Sequence, residues 1–246
     1  MIIAMAGKGG VGKSTIASQI IRALGGDGIV LAVDADPNSN LGEKLGLEPL
    51  GTIGGIRNQI VDDPDIVPAG ISKHEYVVGR VREIIAEGET TDLLTMGRSQ
   101  GEGCYCFING LLRECFSNLI PNYAHVVIDN EAGMEHMSRK TLPQADVLLL
   151  VSDPTVTGIK TAARLRDLAD EVGMETGKTI LVVNNAPGGN MSPLEKAASD
   201  NGLPAPFFLP RDQYIVDSSM ESEVLDVPGD TPFGRAMSGL MAEIRK

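Results

Sequence analysis

The residues best suited to chemistry lie in a glycine-rich stretch near the start of the chain. Gly7–Thr15 reads Gly-Lys-Gly-Gly-Val-Gly-Lys-Ser-Thr and fits the P-loop pattern G-x-x-x-x-G-K-[ST]. Glycines let successive backbone N–H groups face phosphate oxygens, and the following helix adds the partial positive charge of its N-terminus. The pattern assigns Lys13 to the β- and γ-phosphates, Ser14 to Mg²⁺ and Thr15 to the α-phosphate. The predicted nucleotide contacts of this loop are Gly9, Gly10, Val11, Gly12, Lys13, Ser14 and Thr15.

Aspartates close two of the apolar segments that follow the loop. Asp34 and Asp36 end the segment that begins at Ile29, and Asp129 ends the run His125–Ile128. Carboxyl ends of parallel strands lie at the ligand crevice of an α/β sheet. Asp129 is therefore predicted to hold Mg²⁺ through water. Asp34 points to the same side of its strand as Asp36, and a turn or helix-cap role remains open for both.

Two of the three cysteines form a C-x-C pair. Cys104 and Cys106 lie about 200° apart if they are helical, but on one side and roughly 6.6 Å apart along the chain if they are extended. Two thiolates leave a tetrahedral metal half-coordinated, so both pairs of a homodimer are expected to meet around Ni²⁺, Zn²⁺ or an iron–sulfur cluster. On spacing alone, a disulfide and two inert thiols remain open. Cys115 is interpreted as a buried structural thiol.

Short apolar runs alternate with helical stretches along the whole chain. The predicted strands are Ile2–Ala6, Ile29–Asp34, Asp92–Met96, His125–Asp129, Val147–Ser152, Ile180–Asn184 and Phe207–Leu209. The predicted helices are Lys13–Leu24, His74–Glu87, Ile108–Leu119, Val156–Val172, Pro193–Asn201 and Phe233–Arg245. Gly51–Ala69 is expected to be an irregular surface segment. The alternation predicts an α/β P-loop NTPase fold, a mostly parallel twisted sheet with helices on both faces, as one domain over residues 1–246.

The composition favours an acidic protein of the cytoplasm. The chain has 246 residues and a net charge of −12, which repels nucleic acid and anionic lipid, so neither is an expected partner. The longest apolar runs, such as Val147–Val151, are too short to span a bilayer, and Met1–Ala6 carries no basic leader. An odd number of cysteines in a chain of this size favours a reducing compartment.

The loop Lys8–Lys13 resembles the deviant P-loop of the MinD/ParA/nitrogenase iron protein class. The resemblance implies ATP hydrolysis in a homodimer, with Lys8 reaching across the interface to the partner's nucleotide. It places Asp36 where a switch I aspartate orients or deprotonates the attacking water. It also implies that Asn184 and Pro210-Arg211-Asp212 hold the adenine base.

Further segments carry a closer resemblance. They are Asp36-Pro37, Gly103-Cys104-Tyr105-Cys106, Asn109, Leu111-Leu112-Arg113, Ala132-Gly133-Met134-Glu135-His136 and Gly158-Ile159-Lys160-Thr161. Together with the loop they resemble the CooC family, the nickel-inserting ATPases of carbon monoxide dehydrogenase, over nearly the whole chain. The resemblance implies a metallochaperone for that client or a related nickel enzyme. Asn130-Glu131 departs from the family's switch II, and His136 is open between relaying motion, binding metal and packing.

Two other functions fit parts of the pattern. An iron–sulfur reductase like the nitrogenase iron protein needs a second cysteine in switch II, and Asn130–Gly133 contains none. A MinD/ParA-like positioning ATPase predicts a basic amphipathic C-terminal helix or a basic face. The tail Thr231–Lys246 has only Arg235, Arg245 and Lys246 as basic residues.

Overall fold

Seven parallel strands form one twisted sheet in the computed structural model, which describes residues 1–36, 40–97, 117–130 and 144–246. They are β1 Ile2–Gly7, β2 Val30–Ala35, β3 Thr91–Thr95, β4 His125–Asn130, β5 Gln144–Ser152, β6 Glu175–Ala186 and β7 Phe207–Pro210. The spatial order is β3-β2-β4-β1-β5-β6-β7, and every neighbouring pair is parallel. The predicted fold class is confirmed, and all of the predicted strands are present.

Eight α-helices connect or flank the strands within the described residues. They are α1 Lys13–Leu24, α2 Asn40–Leu45, α3 Ile53–Asp62, α4 Lys73–Glu83, α5 Val156–Glu171, α6 Ser192–Asp200, α7 Gln213–Glu221 and α8 Pro232–Ile244. Short 3₁₀ turns occupy Gly25–Asp27, Pro64–Ile66 and Ile120–Asn122. The predicted helix Ile108–Leu119 lies mostly outside the described residues.

Two sequence expectations require correction. Helix α3 occupies part of Gly51–Ala69, which was expected to be irregular, because Thr52 caps its N-terminus by accepting from Gly55 N. Its isoleucines, Ile53, Ile56 and Ile60, are buried against the core. Helix α4 ends four residues earlier than predicted, at Glu83 rather than Glu87. Ala86 instead exchanges two backbone hydrogen bonds with Leu93, of 2.9 and 2.8 Å, along the outer edge of β3.

The strands are apolar at nearly every position because both faces of the sheet are covered. In β1, Ile3 and Met5 lie in one apolar layer with Ile20 of α1, and α8 belongs to the same layer. Ala4 lies in the opposite layer with Ile159 of α5, and α3, α4 and α6 complete that layer. Each large aliphatic side chain buried in this way contributes about 1.5–3 kcal/mol. Because the strands are parallel, the two layers hold all of their carboxyl ends at the same end of the sheet.

Candidate nucleotide site

The P-loop joins β1 to α1 at the centre of the sheet. Gly12 precedes α1 at φ 94°, in the left-handed region, and a Cβ there would lie 2.3 Å from Asn184 Nδ2. Glycine is therefore required at this position both by backbone conformation and by space. No side chain caps the N-terminus of α1. Its first N–H groups and its partial positive charge consequently face the loop, as an anion-binding site requires.

Lys13 is buried beneath the loop. Its side chain is 6% exposed, and Nζ donates to the carbonyl oxygens of Gly7, at 3.3 Å, and Lys8, at 3.2 Å. Neutral carbonyls at these distances are weaker partners for an ammonium group than phosphate oxygens. Lys13 is thus held where an anion in the loop can take over its hydrogen bonds. Lys8 itself is exposed, and Ser14 is half-buried.

Asp129 carries a buried carboxylate beside the loop. It is 1% exposed, and neither oxygen has a partner in hydrogen-bond geometry among the described residues. Burial raises the pKa of Asp129 to about 6, opposed by the nearby Ser14 hydroxyl and then by the Lys13 ammonium. An unpaired buried carboxylate next to a hydroxyl is a donor set that suits a hard cation such as Mg²⁺. The residues present therefore fit the predicted metal.

Asp34 is a fully buried carboxylate at the end of β2. Its Oδ1 accepts from Asp36 N at 3.2 Å, and its Oδ2 accepts from Leu41 N at 3.0 Å. Burial raises the pKa of Asp34 to about 7; these two hydrogen bonds oppose the shift and the neighbouring charge of Asp129 adds to it. The turn interpretation is the one that the structure supports for Asp34. Asp36 is half-buried and lies directly after β2.

Two buried asparagines donate hydrogen bonds to the backbone of β1 and of the P-loop. Asn130, at the end of β4, is buried and donates from Nδ2 to Met5 O at 2.8 Å. Asn184, near the end of β6, is also buried and donates from Nδ2 to Val11 O at 2.8 Å. Asn185 adopts φ 53° where the pairing of β6 with β7 shifts register. Asn130 stood out in the sequence only as a departure from a family pattern, because nothing local reveals a bond to Met5.

The segment Pro210–Asp212 lies beside the end of β6. Arg211 is exposed, and its N–H donates to Ala186 O at 3.3 Å. Asp212 is buried, and its two oxygens accept from Tyr214 N at 3.0 Å and Phe233 N at 2.8 Å. Asp212 thus ties the first turns of α7 and α8 together. This gives its side chain a structural role, while its contact with nucleotide stays a prediction.

Two residues of α1 that position the site were not identified from the sequence. Gln19 exchanges hydrogen bonds of 3.0 Å with Leu225 O and Val227 N. Arg22 donates to Leu225 O at 3.1 Å and to Lys44 O at 3.0 Å. The P-loop helix is thereby linked to α2 and to the segment before α8. The signal in the sequence is a polar residue on the apolar face of α1.

The cysteine predictions fall outside the described residues. Cys104, Cys106, Cys115, Glu131 and His136 belong to the ranges that the structure leaves undescribed. Among residues 1–36, 40–97, 117–130 and 144–246, no group of three or more His, Cys, Asp or Glu side chains is arranged to hold a metal ion. No helix in those ranges is long and apolar enough to cross a membrane. Metal binding at the C-x-C pair stays a prediction.

The family of the chain follows from comparison with known proteins. Residues 2–225 match the CobQ/CobB/MinD/ParA nucleotide binding domain, and the chain belongs to this family. It is 39% identical to an uncharacterised ATP-binding protein of Methanocaldococcus jannaschii, over 90% of this chain and 88% of that protein. It is 32% identical to the carbon monoxide dehydrogenase accessory protein CooC of Rhodospirillum rubrum, over 72% of each chain. The protein is an ATPase of the MinD/ParA class.

Solved structures confirm the fold. MinD of Pyrococcus horikoshii in complex with Mg-ADP superposes with a TM-score of 0.68 at 21% identity, over all of this chain and 96% of MinD. A putative plasmid partition protein of Borrelia burgdorferi bound to AMPPNP gives a TM-score of 0.71 at 15% identity, over 99% and 97% of the two chains.

Proposed function

We propose that the protein is an ATP-hydrolysing metallochaperone that works as a homodimer and inserts nickel into carbon monoxide dehydrogenase or a related nickel enzyme. The observation that carries this proposal is the pairing of the C-x-C segment, Cys104 and Cys106, with 32% identity to a carbon monoxide dehydrogenase accessory protein. The whole chain, residues 1–246, acts as one unit in this proposal.

The P-loop binds the triphosphate. The N–H groups of residues 9–15 and the N-terminus of α1 surround the phosphates, and Lys13 exchanges its two carbonyl partners for β- and γ-phosphate oxygens. Lys8 is exposed and extends to the nucleotide of the partner subunit. Two lysines beside one anion repel each other unless a polyphosphate is present, so nucleotide binding and dimerisation are coupled.

The residues at the ends of β2 and β4, together with Ser14, bind Mg²⁺ and activate the attacking water. Ser14 would hold Mg²⁺ directly and Asp129 would hold it through water. When bound, Mg²⁺ neutralises charge on the β- and γ-phosphate oxygens. Asp36 orients the attacking water or accepts its proton. The stretch that begins at Asn130 acts as switch II and responds to loss of the γ-phosphate.

The adenine base lies against Asn184 and the segment Pro210–Asp212. The carbonyl of Val11 fixes the orientation of the Asn184 amide by accepting from Nδ2. The other end of the amide is then an oxygen, which accepts a hydrogen bond. An acceptor pairs with the 6-amino group of adenine and not with the 6-oxo group of guanine. Asn184 therefore favours ATP over GTP.

The metal is the cargo of the cycle. Cys104 and Cys106 from both subunits supply four thiolates, which suit Ni²⁺ and also Zn²⁺. ATP binding closes the dimer, and hydrolysis releases the metal to the client enzyme. Coupling of this kind requires different metal affinities in the two nucleotide states.

The decisive experiment measures Ni²⁺ affinity and stoichiometry by calorimetry in the presence of ADP and of AMPPNP. We expect one Ni²⁺ per dimer, an affinity that differs at least about fivefold between the nucleotides, and loss of binding in Cys104→Ser and Cys106→Ser. Cys115→Ser is the matched control and should bind normally. Equal affinity in both nucleotide states, or full binding by Cys104→Ser, contradicts the proposal.

A MinD-like positioning ATPase is the second candidate, since the same fold is seen in MinD of Pyrococcus horikoshii. It predicts ATP-dependent sedimentation of the protein with vesicles that contain anionic lipid. An iron–sulfur reductase instead predicts a brown protein with broad visible absorbance after anaerobic purification. Either result, together with absence of Ni²⁺ binding, replaces the metallochaperone proposal.

A further inference from the structure

Three polar side chains lie in register at the ends of neighbouring strands. Asp34 of β2 pairs with Thr95 of β3 on one side and with Asp129 of β4 on the other. Paired residues of parallel strands project from the same face of a sheet, which here is the face covered by α1. Asp34 is the middle of the three and has no exposed surface. It therefore lies between Asp129, the predicted metal-binding carboxylate, and Thr95 of the outermost strand, β3.

The hydrogen bonds of Asp34 hold three parts of the backbone. Its carboxylate accepts from Asp36 N at 3.2 Å and from Leu41 N, in the first turn of α2, at 3.0 Å. Its main-chain oxygen accepts from Met96 N at 2.8 Å, just beyond the end of β3. One side chain consequently holds both Asp36, directly after β2, and the first turn of α2.

We infer that Asp34 is a positioning residue for ATP hydrolysis, because its two carboxylate oxygens accept the backbone N–H groups of Asp36 and Leu41 and so set where the Asp36 carboxylate meets the attacking water. The inference rests on the role proposed for Asp36. A carboxylate is suited to this task because both of its oxygens accept hydrogen bonds, whereas an amide of the same size has one acceptor and one donor. Asparagine at this position leaves either Asp36 N or Leu41 N facing an N–H group.

Asp34→Asn is the first test. A buried N–H without an acceptor loosens the stretch that carries Asp36, so we expect kcat to fall about tenfold or more while KM for MgATP and the affinity for AMPPNP change less than about threefold. Asp146→Asn is the matched control, since Asp146 also accepts a backbone N–H, from Ile2 at 2.6 Å. This contact lies at the amino ends of the strands, away from the nucleotide site. It should retain wild-type kcat. Wild-type kcat in Asp34→Asn overturns the inference.

A double-variant cycle separates action through Asp36 from general damage. In an Asp36→Ala background, Asp34→Asn should cause no further loss of kcat, because the group that it positions is already absent. A further tenfold loss of kcat in the double variant overturns the inference. A shifted Mg²⁺ requirement in Asp34→Asn also overturns it, because that result assigns the effect to Asp129. Wild-type activity in Asp36→Ala instead contradicts the proposed role of Asp36. If Asp34→Asn does not fold, Asp34→Ser, with one neutral acceptor, takes its place in each measurement.

Discussion

The two ends of the nucleotide site differ in how their buried polar side chains are paired. At the phosphate end, neither oxygen of the buried Asp129 has a partner in hydrogen-bond geometry among the described residues, although the Ser14 hydroxyl lies nearby, whereas Asp34 accepts two backbone N–H groups. At the base end, which is the end proposed to hold adenine, Asn184 donates to the P-loop and Asp212 accepts two backbone N–H groups. The base end is thus complete as protein structure. The phosphate end contains a buried carboxylate, Asp129, whose free oxygens suit a bound cation.

This difference assigns opposite energetic effects to the two ends. A buried unpaired carboxylate opposes folding, and its cost is offset only when a ligand binds the native state. A buried carboxylate that accepts two N–H groups supports folding whether or not ligand is present. Substitution of Asp129, the unpaired carboxylate at the phosphate end, should therefore reduce turnover without reducing stability. Substitutions at the base end should do the reverse, or change base selectivity.

The largest effect is expected for Asp129→Asn. Loss of the carboxylate at the predicted Mg²⁺ position should lower kcat by about 10²-fold or more. Because the substitution removes a buried charge whose pKa is raised to about 6, the ligand-free protein should gain about 2 kcal/mol in free energy of unfolding at pH 8. Steady-state ATPase assays and urea unfolding measure the two quantities. Reduced stability of Asp129→Asn would place this residue in the same group as Asp212 and break the comparison.

Asp212→Ala should show the opposite pattern. Two backbone N–H groups, those of Tyr214 and Phe233, lose their acceptor, so we expect a loss of about 2–4 kcal/mol in free energy of unfolding. For a chain of this length that corresponds to a fall of roughly 5–15 °C in melting temperature. The folded protein should keep kcat within about threefold. A stable Asp212→Ala protein with greatly reduced turnover would show that Asp212 serves the nucleotide directly.

The sequence predicted the sheet more completely than it predicted the site. Strands covered on both faces are continuous apolar runs, so β1, β4 and β5 are visible in local composition. Helices α2, α3 and α7 are not, because they have six to ten residues and few buried apolar positions. The P-loop was predictable since its spacing alone specifies a phosphate site.

The pairing of the site's polar groups could not be predicted. Asp34 and Asp129 resemble each other in sequence, each ending an apolar run. Asp34 bonds to the backbone of α2 a few residues further along the chain, and Asp129 faces Ser14 from a strand more than a hundred residues away in the chain. Which neighbours a strand-end residue meets depends on strand order, here β3-β2-β4-β1. Asn130 and Asp212 acquired their roles in the same way, through partners distant in the chain.

Asn184→Ala sharpens the description of the base end. It removes the acceptor proposed for the adenine 6-amino group, so KM for ATP should rise about tenfold while KM for GTP changes little. The preference for ATP over GTP should fall by the same factor. Asn185→Gly is the control, because glycine adopts the φ of 53° found there and the Asn185 side chain is exposed. Unchanged ATP preference in Asn184→Ala would leave the base end with a purely structural role.

The smallest effect is the pH dependence of stability in the ligand-free protein. The folded pKa of Asp34, about 7, lies above its ordinary value of 3.8. Its stabilising contribution is therefore complete below pH 3.8 and is lost as the pH rises through about 7. Between pH 5 and pH 8 we expect the free energy of unfolding to fall by about 2–3 kcal/mol more in the wild type than in Asp34→Asn. The charges that act on Asp34 are those of Asp129 and Asp36. The charges that act on Asp129 are those of Lys13, Asp36 and Lys44.

The slope with pH, and not the level of stability, is the diagnostic quantity for Asp34. Asp34→Asn also loses a hydrogen bond, which shifts stability by a similar amount at every pH, whereas only a titrating group changes the slope. Urea midpoints of wild type, Asp34→Asn and the control Asp146→Asn at pH 5 and pH 8 separate the two. Exposed carboxylates such as Glu75 titrate equally in all three proteins and cancel in the comparison. If Asp34→Asn keeps the wild-type slope, the surplus charge at the phosphate end is balanced within the protein, and the contrast between the two ends of the site fails there.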